Sequence, residues 1–172
     1  MRLFIAINFD DLTKNKIYNI SSQLKAHSIK GKFVHKEHIH LTIEFIGEVE
    51  EEKTKEIESM IENYSINPFE IFISGLGVFN TRHGDIYWLK VKENDYLYYL
   101  QKDIHNRLLG LNLKIEERKY IPHITLGRDV VLKDQPKELE KIEFNYTVGR
   151  ISLFKSFNSG NKLIHEIIAE SK

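Results

Sequence analysis

Cysteine is absent from the 172 residues, and positive charge is not in excess, because 25 Lys and Arg residues balance 25 Asp and Glu residues. The lack of cysteine excludes disulfides, thiolate nucleophiles and zinc–thiolate sites. The zero net charge argues against a protein that grips a long nucleic acid, since many phosphate contacts need a strong positive excess. Any contact with nucleic acid is therefore expected to be local, at an end or at a single nucleotide.

Long hydrophobic runs are also missing. The apolar stretch near the start lies within residues 3–9, which is too short for a membrane span or a secretory signal. We therefore expect a cytoplasmic protein that does not contact a membrane. With 41% hydrophobic residues, the chain is long enough to bury a core. We predict a single domain over residues 1–172, and we expect a monomer because nothing in the sequence implies a protein partner.

One short pattern, His–apolar–Thr–apolar, occurs at residues 40–43 and again at residues 123–126. Successive side chains of a strand point to opposite faces. In each copy the His and the Thr would therefore share one face, with the apolar side chains behind them. If the two strands faced each other, two imidazoles and two hydroxyls would meet at one site. The candidate residues are His40, Thr42, His123 and Thr125.

These four side chains suit acid–base chemistry on a phosphate. An imidazole titrates near pH 6.5, so one ring can act as a neutral base and another as a charged acid. The Thr hydroxyls can donate hydrogen bonds to phosphoryl oxygens. Arg128 is a further candidate phosphate ligand, since a guanidinium matches phosphate geometry. Strict alternation from His123, however, places Arg128 on the opposite face of the strand.

Strand and helix patterns alternate along the chain and repeat. A span of 35 residues separates Ile5 from His40, and 37 residues separate Ile86 from His123. Each span holds a strand, a long helix and the His–Thr strand, which favours a duplication whose halves meet near residues 80–85. The fold class expected is α+β, with two pseudo-symmetric lobes around a central cleft, each an antiparallel sheet with helices outside. The pattern also predicts a break at Gly31, a short helix over residues 136–141 and a long strand over residues 147–157.

The motifs and their flanks resemble the two-histidine phosphoesterase superfamily. The closer similarity is to its RNA 2′,3′-cyclic phosphodiesterase branch, also called LigT-like or 2′-5′ RNA ligase. The segments that carry the resemblance are residues 2–7, 40–49, 122–128 and 151–156. Two mild departures are Phe33, where the family often has Trp, and Ile43, where Leu is commoner.

The resemblance implies a two-lobed α+β fold that hydrolyses a terminal 2′,3′-cyclic phosphate on RNA to a 2′-phosphomonoester. It implies no metal and no cofactor, with 2′-5′ ligation as a possible second activity. By match to the motifs, His40 would be the proton donor to the leaving oxygen. His123 would be the proton acceptor that activates water, while Thr42 and Thr125 would bind phosphate.

Three further functions are compatible with the same motifs. The substrate could be a small cyclic nucleotide or a cyclic phosphate of ADP-ribose, or the chain could bind RNA ends without turnover. A metallohydrolase is the third, suggested by His35, His38 and His40. The remaining histidines are expected at the surface; they are His27, His83, His105 and His165. Tyr120 and Phe33 lie near the motifs and are candidates for stacking on a nucleobase. Four more aromatic residues are expected in the core: Phe72, Phe79, Tyr87 and Trp88.

Overall fold

The computed structural model describes residues 1–172 and contains nine strands and three α-helices. The strands are β1 Arg2–Asn8, β2 Ser28–Phe33, β3 His40–Glu48, β4 Phe69–Phe79, β5 Asp85–Val91, β6 His123–Leu132, β7 Glu143–Val148, β8 Ser152–Ser159 and β9 Lys162–Glu170. The helices are α1 Asp11–Ala26, α2 Glu51–Glu62 and α3 Asp95–Gly110, and two short 3₁₀ helices span Lys36–His38 and Leu139–Lys141. None of the helices has the length and apolar character that a membrane crossing needs.

The strands form two antiparallel sheets. The first has the order β3-β1-β8-β9, and the second has the order β2-β6-β5-β4-β7. Each sheet contains strands from both halves of the chain. The first sheet combines β1 and β3 with β8 and β9, and the second combines β2 and β4 with β5, β6 and β7. The α+β class with antiparallel sheets and helices is thereby confirmed.

The two His–Thr strands have similar partners, although β3 is an edge strand and β6 lies between β2 and β5. On β3, His40 pairs with Asn8 and Thr42 pairs with Ala6 of β1. On β6, His123 pairs with Lys90 and Thr125 pairs with Trp88 of β5. In each case the partner strand precedes a long helix that leads towards the His–Thr strand. We propose from this shared register that the halves before and after residues 80–85 are related units of one domain.

The faces behind the motif residues form the core. A single cluster of 29 buried residues contains Leu41 and Ile43 of the first strand, Ile39 directly before it, and Ile124 and Leu126 of the second strand. Removing such side chains from water provides the main drive for folding, about 25 cal/mol per Å² of apolar surface. The strands β3 and β6 also approach each other directly where the two sheets meet.

The helices begin at capping residues that the sequence contains. The Asp10 carboxylate accepts a hydrogen bond from the Thr13 backbone N–H at 2.7 Å, and α1 starts directly after it. Asn94 caps α3 in the same way, through the Leu97 N–H at 3.0 Å. Such side chains satisfy N–H groups that have no partner inside the helix. The short helix expected over residues 136–141 is a 3₁₀ helix limited to Leu139–Lys141.

Two expectations about the strands are wrong. No strand runs over residues 147–157, because β7 belongs to the second sheet and β8 to the first, with the chain crossing between them at residues 149–151. Gly31 does not break the chain but lies inside β2. A Cβ at Gly31 would lie 2.9 Å from Cε2 of Phe33, so the glycine makes room for a neighbouring ring.

Candidate active site

The imidazoles of the two motifs are held in the same way. In His40, Nδ1 lies 2.7 Å from the carbonyl oxygen of His38. In His123, Nδ1 lies 2.7 Å from the carbonyl oxygen of Ile121. A carbonyl oxygen can only accept, so Nδ1 carries the hydrogen in both rings. Each neutral ring therefore keeps Nε2 as a free nitrogen that can take up a proton.

Aromatic rings surround His40. Its ring centroid lies 4.9 Å from that of Phe4 and 6.0 Å from that of Phe154. His165 stands edge-on to it, with centroids 5.6 Å apart. Burial, together with the nearby His165, lowers the pKa of His40 from 6.5 to about 3 because burial disfavours the charged ring. His40 is therefore neutral at pH 7 in the free protein.

His123 has a similar aromatic setting on the other strand. The rings of Phe79 and Trp88 lie at centroid distances of 5.5 and 5.7 Å. Burial lowers the pKa of His123 as well, and the charges of Arg128 and Arg118 add to the effect. Phe79 and Trp88 stack on each other at 4.8 Å and are only partly buried, so they form one wall around His123 rather than part of the sealed core.

A cleft of about 930 Å³ brings residues of the two motifs together. Thr42 of the first motif and His123 of the second both line it, and so does Arg128. His40 and Thr125 do not line this cleft, although each shares its strand face with a residue that does. The cleft therefore joins Thr42 of the first strand and His123 of the second at one site, while His40 lies within the aromatic cluster.

Arg128 reaches the cleft because β6 is irregular. The pairing with β5 shifts between Tyr87, opposite Gly127, and Trp88, opposite Thr125. Two consecutive residues, Leu126 and Gly127, are consequently buried, and the alternation is reset beyond them, as at a β-bulge. The expectation that Arg128 points to the opposite face is thus wrong, and its guanidinium lines the same cleft as His123.

A second irregularity lies in β3. Its pairing with β1 shifts between Ile5, opposite Glu44, and Ala6, opposite Thr42. Ile43 and Glu44 are both buried as a result, and Phe45 is 42% exposed. Phe45 lines the cleft, and the Arg118 guanidinium carbon lies 5.2 Å from its ring centroid.

The burial of Glu44 creates a polar cluster that sequence reasoning missed. Its carboxylate accepts hydrogen bonds from Gln101 Nε2 at 2.9 Å and from His105 Nδ1 at 2.8 Å. The expectation of a surface position for His105 is wrong, since its side chain is only 17% exposed. The spacing of Gln101 and His105, four residues apart on α3, was the one signal in the sequence, because such residues share a helix face.

The two candidate stacking residues both make structural contacts, and Tyr120 also lines the cleft. The Tyr120 hydroxyl donates a hydrogen bond to the Thr42 carbonyl oxygen at 3.0 Å, and burial raises its pKa. Phe33 packs over Gly127, where a Cβ would lie 3.0 Å from its ring. Tyr120 therefore ties the segment before β6 to the first motif, and Phe33 supports the second from behind.

The remaining histidines differ in their surroundings. His165 stacks on His38, with centroids 4.6 Å apart, and its Nδ1 is buried without a hydrogen-bond partner. The surface position expected for His165 is therefore wrong. His27 pairs with Asp134, while His83 is exposed as expected. No three His, Asp or Glu side chains are arranged to hold a metal ion.

This fold and this pair of histidine motifs define a two-histidine phosphoesterase. Residues 16–159 match the family model of the 2′-5′ RNA ligase superfamily, and the chain belongs to this family. It is 35% identical to an RNA 2′,3′-cyclic phosphodiesterase of Methanocaldococcus jannaschii, with 99% of each chain covered. It is 32% identical to a protein of the same name from Thermotoga maritima, over 92% of this chain and 87% of that one. E. coli LigT complexed with 3′-AMP has the same fold, with a TM-score of 0.79, 22% identity and coverage of 98% and 95%.

Proposed function

We propose that this protein hydrolyses the 2′,3′-cyclic phosphate at the end of an RNA to a 2′-phosphomonoester, using His40 and His123 as a proton donor and acceptor. The observation that carries the proposal is the matched hydrogen bond of the two rings. Each Nδ1 is held at 2.7 Å by the carbonyl oxygen two residues earlier. Full-length relatives that share this family are named for the same activity.

The reaction needs one proton to be removed and one to be supplied. Nε2 of His123 would take a proton from water as the water oxygen bonds to phosphorus. The bond from phosphorus to the 3′ oxygen then breaks, and Nε2 of His40 gives that oxygen its proton. Two such placed groups make acid–base catalysis effective because both proton transfers take place within the site as the bonds to phosphorus form and break. The phosphate stays on the 2′ oxygen.

The phosphoryl oxygens need donors that hold them during this exchange. Thr42 and Arg128 line the cleft beside His123, and Thr125 lies two residues from His123 on the same strand. We assign these three residues to phosphate binding. Tyr120 fixes the backbone of Thr42 through its hydroxyl, which keeps the Thr42 hydroxyl in place as charge shifts.

The lowered pKa of His40 links substrate binding to protonation of this ring. Burial holds His40 neutral in the free protein at pH 7, so it must gain a proton before it can act as an acid. An anionic phosphate nearby favours the charged ring and raises its pKa. Substrate binding and proton uptake by His40 are therefore expected to occur together.

The direct test is incubation with a short RNA that ends in a 2′,3′-cyclic phosphate, followed by identification of the phosphate position. A 2′-phosphate with full activity in the presence of a chelator is expected. A 3′-phosphate would contradict the assigned leaving group, and loss of activity in the chelator would favour a metallohydrolase. Binding without any product would favour an RNA-end-binding module.

The same assay separates the substrate classes. A small cyclic nucleotide or a cyclic phosphate of ADP-ribose, offered as a competing substrate, reports which class the site prefers. RNA ends with a 5′ hydroxyl test the reverse ligation. The cytoplasmic location and the monomeric state stay predictions, and light scattering after size-exclusion chromatography tests the second.

A further inference from the structure

The Glu44 cluster places the imidazole of His105 in the same cleft as that of His123, and the proposed mechanism does not use His105. Glu44 is 5% exposed, and burying a carboxylate is costly unless hydrogen bonds compensate for the lost water. The compensation comes from α3, where Gln101 and His105 both donate to Oε2. The carboxylate thereby holds the His105 ring against the wall of the cleft.

The orientation of this ring follows from the same hydrogen bond. A carboxylate oxygen accepts, so Nδ1 of His105 donates to Glu44. Nε2 donates to a phosphate oxygen in the cleft when it carries a hydrogen as well, as it does in the imidazolium ring. Lys102 lies three residues earlier on α3 and shares this helix face. It is exposed, and it lines the same cleft as His105 and Thr42. Helix α3 thus offers an imidazole and an ammonium group side by side.

Lys102 and His105 share one cleft with the first motif, because Thr42 lines it as well. The cleft, at about 930 Å³, is near the upper end of the ~300–1,000 Å³ range of small-molecule sites. Two acidic residues, Glu116 and Glu117, also line it, but they belong to the segment before Tyr120 and not to α3.

We propose that Lys102 and His105, the latter held by Glu44, bind the phosphate on the 5′ side of the terminal nucleotide. This inference rests on the proposed function and deepens it, since it makes an RNA end, and not a free mononucleotide, the preferred substrate. The subsite supplies binding and takes no part in proton transfer. It is a local contact to one phosphate, which fits a chain of zero net charge.

The test compares a dinucleotide ending in a 2′,3′-cyclic phosphate with the corresponding nucleoside 2′,3′-cyclic phosphate. The parent protein is expected to have a kcat/KM at least about tenfold higher for the dinucleotide, the usual value of a charge-assisted contact. In Lys102→Gln and His105→Gln the two kcat/KM values are expected to approach each other. Lys55→Gln is the matched control, because Lys55 is an exposed cation on α2 outside the cleft.

Salt dependence gives a readout that does not depend on protein stability. Salt screens the contact between a cation and a phosphate, so the KM of a substrate that makes this contact rises more steeply with salt concentration. The slope for the dinucleotide is expected to exceed that for the mononucleotide, and Lys102→Gln should remove the difference. Because Lys102 is exposed, this variant is expected to fold even if His105→Gln does not.

The outcomes distinguish the two proposals. Equal kcat/KM values for both substrates in the parent protein, or a parallel loss on both in the Lys102 variant, would overturn the subsite while leaving the phosphodiesterase activity established. A parent protein that cleaves neither substrate would overturn the proposed function, and the subsite with it.

Discussion

Replacing His123 or His40 with asparagine separates the tasks of the two ring nitrogens. The Asn amide group lies near the position of Nδ1 and can donate to the same backbone carbonyl oxygen, 2.7 Å from Nδ1 in each native ring. Nothing in Asn replaces Nε2. The variants His123→Asn and His40→Asn are therefore expected to keep the local fold and lose proton transfer.

The magnitude follows from the role of each ring. A placed general acid or base contributes about 10²- to 10⁴-fold to the rate, which corresponds to about 3–5 kcal/mol of activation free energy. Each single variant should lose activity in this range. The double variant should lose less than the product of the two effects, because residues that act as a unit are not additive.

The assay is single-turnover hydrolysis of an RNA ending in a 2′,3′-cyclic phosphate, with thermal unfolding measured on the same samples. His83→Asn is the matched control, since His83 is exposed and should keep the parent rate. A His123→Asn or His40→Asn rate within tenfold of the parent, with the variant folded, would refute the assignment of that ring.

Three further predictions concern the surroundings of the site. The pKa of His40, lowered from 6.5 to about 3 by burial, means that the unfolded chain binds a proton more readily below pH 6.5, so stability is lost as the pH falls. We expect urea titrations between pH 6.5 and 5 to show the free energy of unfolding falling by up to about 1.4 kcal/mol per pH unit. The same pH dependence in His40→Gln would assign the effect to another group. Tyr120→Phe leaves the Thr42 carbonyl without its donor and should cost about 1 kcal/mol of unfolding free energy and lower kcat; equal kcat would argue against the positioning of Thr42. Gly77→Ala would push a methyl group into the Trp88 ring and should cost about 1–3 kcal/mol; fluorescence of this single tryptophan reports whether the ring moves, and an unmoved ring would contradict the contact.

The shared face of His and Thr in each motif could be predicted from the sequence, because the two residues are one strand period of two residues apart. Alternation placed Leu41 and Ile124 behind the faces that carry the motif His and Thr, and both are fully buried. The similar spacing from Ile5 to His40 and from Ile86 to His123 also indicated a partner strand and a long helix before each motif, and β1 with α1 and β5 with α3 have this order.

Alternation failed where the strands are irregular. The bulges at Ile43 and Leu126 reset the pattern, which brings Arg128 into the cleft and buries Glu44. A bulge depends on the pairing with another strand, so residues near in sequence do not reveal it. Each bulge directly follows the Thr of a motif, Thr42 or Thr125. It therefore changes which of the following side chains reach the cleft.

Contacts between distant elements were equally invisible. The pairing of His105 with Glu44 joins residues 61 positions apart, and an isolated His on an amphipathic helix gives no sign of it. The crossing between β7 and β8 was missed for the same reason. β7 belongs to one sheet because it pairs with β4, and β8 belongs to the other because it pairs with β1. Gly149 lies at this crossing and is the signal that the sequence contains, because a glycine inside a strand pattern often marks a bend or a break.

The most direct test of the paired imidazoles is the tautomer of each ring, measured by long-range ¹H–¹⁵N NMR at pH 7 on the free protein and with a 2′-phosphomononucleotide bound. We predict that His40 and His123 are both neutral with hydrogen on Nδ1, and that the bound phosphate shifts the Nε2 signals of both. A hydrogen on Nε2 of either ring in the free protein, or Nε2 chemical shifts that do not change when the ligand binds, would contradict the proposed roles of His40 and His123.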